Sequence, residues 1–182
     1  MPDPLHPALV HLPIGLAVVM PFAAIAVLLA IRSGALPDRS WALVVALQLA
    51  VSLGGWAAFE TGGQEEERVE RVVSERFIEA HEEAAERFLF IAIGTLIATA
   101  AGLLQRRRGE IGRGLAVLGS VATLAAAASV GHLGGQLVYV HGAAGAYVDQ
   151  HSTHGTPSLP RPDGPGLNEG HGEDDRARSD HH

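Results

Sequence analysis

Cysteine and lysine are both missing from this 182-residue chain, aromatic residues make up only 5% of it, and charged residues only 18%. Without cysteine there is no disulfide framework, no thiolate metal site, no catalytic thiol and no Cys-linked haem c. Arginine supplies every basic side chain, which points to a GC-rich genome rather than to a mechanism. Soluble domains are about a quarter charged, so charge is scarce here and gathered in a few places. The net charge of −7 comes from one Glu-rich segment and the C-terminal stretch, which argues against a nucleic-acid partner. Neither His-Glu-x-x-His, nor a Gly-rich phosphate loop, nor Gly-x-Ser-x-Gly occurs, so no hydrolase or transferase motif supports a stand-alone enzyme.

What the chain does have is long apolar runs. Ala8 to Ile31 holds no charge and only His11 as a titratable group. About 20 apolar residues suffice to cross roughly 30 Å of hydrocarbon. No basic residue precedes the run, and Pro13 and Pro21 interrupt it, so it reads as a kinked spanning helix and not as a cleaved signal peptide. Gly34 and Pro37 break the chain after Arg32. A second span follows from Trp41 to Phe59, with Trp41 and Trp56 near its ends as interfacial aromatics. Gln48 lies mid-span, where its amide needs a partner on a neighbouring helix or in water.

Residues 65–86 carry nine Glu, yet Val69, Val73, Phe77, His81, Ala84 and Phe88 recur every three or four positions, one face of a helix. The stripe runs without Gly or Pro into a third apolar span, so 65–104 reads as one long helix or two in tandem, its first half projecting from the bilayer. An arginine-rich turn at 105–113 leads to a fourth span, 115–140, rich in Ala125, Ser129, Gly131, Gly134 and Gly135; Gly94, Ala98 and Gly102 supply a matching series on the third. Such small residues let helix backbones approach in lipid. The expected fold is an all-α integral membrane four-helix bundle over residues 1–148, with spans at about 8–31, 41–59, 84–104 and 115–140. Residues 149–182, rich in Pro, Gly, Asp, Ser and His, lack apolar periodicity and read as a disordered, solvated tail.

The two short turns concentrate six Arg (32, 39, 106, 107, 108, 113), against four in the longer 60–87 segment. By the positive-inside rule the turns are cytoplasmic and both termini periplasmic. His6, His11, His81, His132 and His141 then all fall at the outer end. His11 lies about 7.5 Å deeper than His6, and His132 about 13.5 Å from His141, on a helical rise of about 1.5 Å per residue. His132, Gln136 and Tyr139 share one helix face, with Glu60 closing the second span at the same end. Imidazole ligates haem and transition metals and titrates near neutrality, and an ionisable residue within a span is a functional-site hypothesis by default.

The opening His-Pro-x-x-Val-His-x-Pro-Ile (His6–Ile14), the histidine leading the third span (His81) and the closing Gly-Gly-x-Leu-Val-Tyr-x-His-Gly (Gly134–Gly142) together resemble the bacterial membrane family catalogued as domain of unknown function 2231. The likeness covers about residues 4–148. It implies a four-helix membrane bundle without established activity, found in some relatives beside c-type cytochrome or Rieske-type modules. The matching positions are His6, His11, His81 and His141; His132 does not map onto the pattern, and Leu12 stands where relatives carry an aromatic. The leading expectation is an electron-transfer component of the bacterial inner membrane. It would bind haem b through two of His11, His81, His141, His6 and His132, or a single transition-metal ion through His6, His11, His81 and His141, with Gln136, Tyr139 and Glu60 supporting. The alternative is a non-redox subunit or interaction module whose acidic outer helix docks a partner and whose histidines sense pH or bind zinc.

The charge argument makes a topological prediction. A reporter active only in the cytoplasm, fused after Val148, should stay silent; activity there would reverse the orientation and put every histidine on the cytoplasmic side.

Overall fold

The structure is a computed structural model that describes residues 9–64 and 66–146, and for Glu67 and Arg68 the backbone alone. His6 and the 149–182 tail lie outside the described residues. The helices are α1 (His11–Arg32), α2 (Ala42–Gly63), the single turn α3 (Glu66–Val69), α4 (Glu75–Ala101) and α5 (Arg106–Tyr139), with a 3-10 turn over Asp38–Trp41 before α2. Helices α1, α2, α4 and α5 are each long and apolar enough to cross a membrane. They pack as a ring in which α1 touches α2 and α5, and α4 touches α2 and α5. That is an up-down-up-down bundle.

α1 continues through Pro21, whose ring is buried, while Pro13 sits in the first turn, where its missing N–H has no intrahelical partner to lose. The stretch expected as one helix or two in tandem is two. Val72 and Val73 both bond back to the Val69 carbonyl, and the chain turns extended at Ser74 before α4 begins. No Gly or Pro marks this break. Its cause is packing: Val73 turns in to form a second small core with Leu137 and Ala143, against Val69, Phe77 and Ile78. This cap stands beyond the main core of the bundle, which includes Ala17, Met20, Ala24, Val44, Val51, Phe88 and Ala92.

The bundle is small inside and large outside. Its buried positions are mostly Ala, Val, Ser and Thr, whereas Phe22, Phe90, Ile97 and Leu118 are each at least two-thirds exposed. In water such a surface would be costly; against lipid tails it is neutral, and close backbone contact does the holding. A Cβ at Gly112 would lie 2.6 Å from the Ala101 carbonyl carbon, so α4 and α5 approach backbone to backbone there. The small residues expected to serve are only partly the ones that do. Gly94, Gly131 and Gly135 face open space, whereas Gly134 and Gly102 make close contacts, with His81 and with the Trp41 indole.

That indole is a correction. Trp41 is fully buried rather than interfacial, and its Nε1 donates to the Thr99 carbonyl at 2.9 Å. Trp56 remains exposed. Arg113 closes this arginine end of the bundle. Its Nε donates to the Gly102 carbonyl at 2.9 Å, its guanidinium reaches Asp38 at 2.9 Å, and it lies 5.8 Å from the Trp41 ring centroid. Because α5 has 34 residues, it is about 51 Å long against roughly 30 Å of hydrocarbon. Nineteen residues separate Arg113 from His132, or about 29 Å. His132 therefore lies near the far membrane boundary, and the last turns of α5 stand in the cap.

Arg113 is buried but Asp38 is largely exposed, so the two partners should differ in weight. Arg113→Leu strips a donor from the Gly102 carbonyl and should cost about 1–3 kcal/mol. Asp38→Asn loosens only a screened pair, and should cost less than about 1 kcal/mol. Denaturant unfolding in detergent, followed by Trp41 fluorescence, measures both; equal losses would contradict the geometry.

Candidate functional site

The stripe read from the sequence places His81 on the inward face of α4, and the structure keeps it there. Val73, Ala84 and Phe88 are buried on the same side. Four residues before His81, Phe77 belongs to the cap; seven after it, Phe88 belongs to the bundle core. His81 thus stands at the joint between the two cores. Its ring lies against the backbone of α5, since a Cβ at Gly134 would come within 3.1 Å of Cε1 and 3.6 Å of Nδ1. A side chain at 134 would make the imidazole give way by a few tenths of an ångström.

Beside the ring is a half-open apolar cleft of about 50 Å³. Val10, Pro13 and Ile14 approach it from the start of α1, Gly55 and Ala58 from α2, and Phe88 forms part of its wall. Among the described residues lining it, His81 is the only titratable one. An apolar cavity of about 150 Å³ holds a benzene; this one has room for water-sized occupants.

The other candidates sit at the same end but in different settings. His141, just past α5, stacks on Phe77 with ring centroids 3.7 Å apart and planes inclined by 20°. His81 and His141 are therefore brought to one side of α4, one turn apart. His11 opens α1 in an exposed position, its neighbour Val10 rather than its own ring lining the cleft. His132 is exposed on α5 and bonds Gln136 at 3.1 Å, so that expected pair does meet. Tyr139 is 89% exposed and Glu60 is also exposed; neither approaches the cleft. Among the described residues no group of three or more His, Asp or Glu is arranged to hold a metal ion.

Two features were not read from the sequence. Gly134 as the rest for His81 was taken for generic packing, although its place in the closing motif was a signal. The buried polar seam on α4 and its neighbours, with Thr95 Oγ1 and Thr123 Oγ1 3.2 Å apart and Thr99 Oγ1 donating to the Thr95 carbonyl, carries no periodic signature distinct from an apolar face.

The Gly134 contact can be tested directly. Gly134→Val should displace the His81 ring, shift its NMR resonances and destabilise the protein by about 1–3 kcal/mol through overpacking. Gly131→Val, which meets nothing within 4 Å, should do neither. Unchanged His81 resonances in Gly134→Val would mean that the ring does not rest there.

No similar protein emerges among curated proteins, and none among solved structures. The model of one family, described as predicted membrane protein (DUF2231), spans residues 2–146 with all four spanning helices and the His81 joint, and the chain belongs to that family.

Proposed function

We propose that this chain is a non-redox membrane subunit or interaction module, whose cap docks a basic partner at the histidine end. One observation carries the reading: the two faces of the first turns of α4. Glu75, Glu79, Glu82 and Glu86 follow at spacings of four, three and four, and all are exposed. Like charges so placed cost a helix roughly 0.2–0.5 kcal/mol per pair. No ion pair to this row forms among the described residues; Glu83, beside it, pairs with Arg87 at 2.6 Å. The opposite face carries Phe77 on His141 and His81 on Gly134. A row of carboxylates is thus mounted rigidly on the bundle, and stands clear of it.

Both joints of that mount are imidazoles, one stacked on Phe77 and one resting against Gly134. An electron carrier built on haem b, or on a single transition-metal ion, would need a second ligand facing the His81 ring and room for the group beside it. The docking reading needs neither. It accounts for the acidic face, which an electron-transfer role leaves unused.

The test compares the wild type with a variant carrying Glu→Gln at 75, 79, 82 and 86, each crosslinked in native membranes at low and at high salt. A discrete partner should be retained by the wild type at low salt and lost by the variant, since surface attraction of this kind is screened. The same set of proteins captured by both would remove the docking face. A Soret band in the purified wild type would restore the haem reading.

A further inference from the structure

Along the inward face of α2, Gln48, Ser52 and Gly55 follow at spacings of four and three, each buried. Gln48 is fully buried. Its Nε2 donates to the Ala92 carbonyl of α4 at 3.0 Å, and Ser52 Oγ approaches the same carbonyl at 3.3 Å and the Gln48 carbonyl at 3.1 Å. So the amide end of Gln48 and the Ser52 hydroxyl share one corner between the two helices. Gln48 Oε1, equally buried, receives no hydrogen bond among the described residues. Turning the amide over does not help, for it would set oxygen against oxygen at Ala92 and leave a buried N–H bare instead. Whichever way the amide points, one polar end lacks a partner.

The depth of this corner makes the gap notable. Ala92 lies nine residues from Ala101, or about 14 Å along the helix, close to the middle of roughly 30 Å of hydrocarbon. Lipid has no donor to offer there. Yet the corner is near the only opening that approaches it among the described clefts. Gly55 and Phe88 both line the His81 cleft, and Gly55 is one turn, about 4.5 Å, beyond Ser52. A Cβ at Gly55 would lie 2.6 Å from Phe88 Cε1, so the phenyl ring in the cleft wall presses on the glycine one turn from Ser52. The cleft, at about 50 Å³, exceeds the roughly 10–15 Å³ of probe volume that one water needs.

We propose that Gln48 and Ser52 form a water-binding site at the middle of the bundle, filled from the His81 cleft past Phe88. The water donates one hydrogen to Gln48 Oε1 and the other to a lone pair of Ser52 Oγ, which has already used its own hydrogen on a backbone carbonyl. That supplies the two polar partners that a buried water requires, and leaves every polar group at the corner satisfied. The consequence is an aqueous half-path from the histidine end to the bilayer centre, through walls whose only titratable group among the described residues is His81. This site is independent of the docking face and survives the failure of that reading.

The experiment uses the full chain in nanodiscs, uniformly labelled with ¹⁵N, and water as the probe. Magnetisation transfer from water should reach the Gln48 side-chain amide, and that amide should exchange in D₂O well before the backbone amides of the bundle core. Gln48→Leu should abolish water transfer to the backbone amides beside it, at Ala92 and Ser52. Gly55→Val, which drives Phe88 across the route, should slow exchange at Gln48 while leaving exchange in the cap unchanged. A wild-type Gln48 amide that shows no transfer and stays protected as long as the core would overturn the site. Exchange unaffected by Gly55→Val, in a variant that retains the wild-type backbone spectrum, would overturn the route. Should that variant not fold, the wild type and Gln48→Leu still decide whether water is bound.

Discussion

Helices in hydrocarbon gain nothing by burying leucine, because the lipid they leave is as apolar as the neighbour they meet. What remains is backbone proximity and hydrogen bonds between helices, and the packing in this chain follows from that constraint. Large side chains are relegated to the surface, Gly112 brings α5 against the α4 backbone, and the polar groups inside reach across helices: Gln48 to Ala92, Trp41 to Thr99, Thr95 to Thr123, Arg113 to Gly102. Three of these bonds reach α4, and the fourth reaches Gly102, which caps its end. That helix is the spine against which α2 and α5 are registered, and its inward stripe runs from Val73 in the cap to Gly102 at the arginine end.

Above the bilayer the rule changes, and the structure changes with it. Water restores the hydrophobic drive, so the cap closes over larger apolar groups, Val73, Leu137, Phe77 and Ile78. Two cores governed by two solvents meet where α4 crosses the boundary, and His81 occupies that place. An imidazole suits it, since one edge can lie on apolar neighbours and another on polar ones.

Hydropathy made the spans legible, because each must fill a fixed thickness; the four runs and their order follow from length alone. The stripe through His81 was equally plain, since charge on one face and apolar groups on the other leave no doubt about which way a helix turns. The break at residues 70–74 was not, because it has no Gly or Pro and is imposed by contacts with Leu137 and Ala143, some 65 residues away. Trp41 misled for a related reason. An aromatic near a span end sits at the interface by default, and only the glycine at 102, which makes room for the indole, draws it into the core. The individual partners of the histidines were beyond a single sequence. The common end of His11, His81, His132 and His141 follows from crossing parity, but which ring turns inward depends on where a neighbouring helix carries a glycine.

That dependence separates the histidines more sharply than their shared level joins them. A ligand-binding pair requires two rings converging on one point. Here Gly134 holds the His81 ring within the bundle, Phe77 holds His141 in the cap, Gln136 engages His132 on the exposed side of α5, and His11 opens α1 at the surface. Rings that face four different surroundings are suited to four different tasks, and two of them join the cap to the bundle. Under the docking proposal, these two contacts are what set the acidic face of α4 at its place beside the bundle.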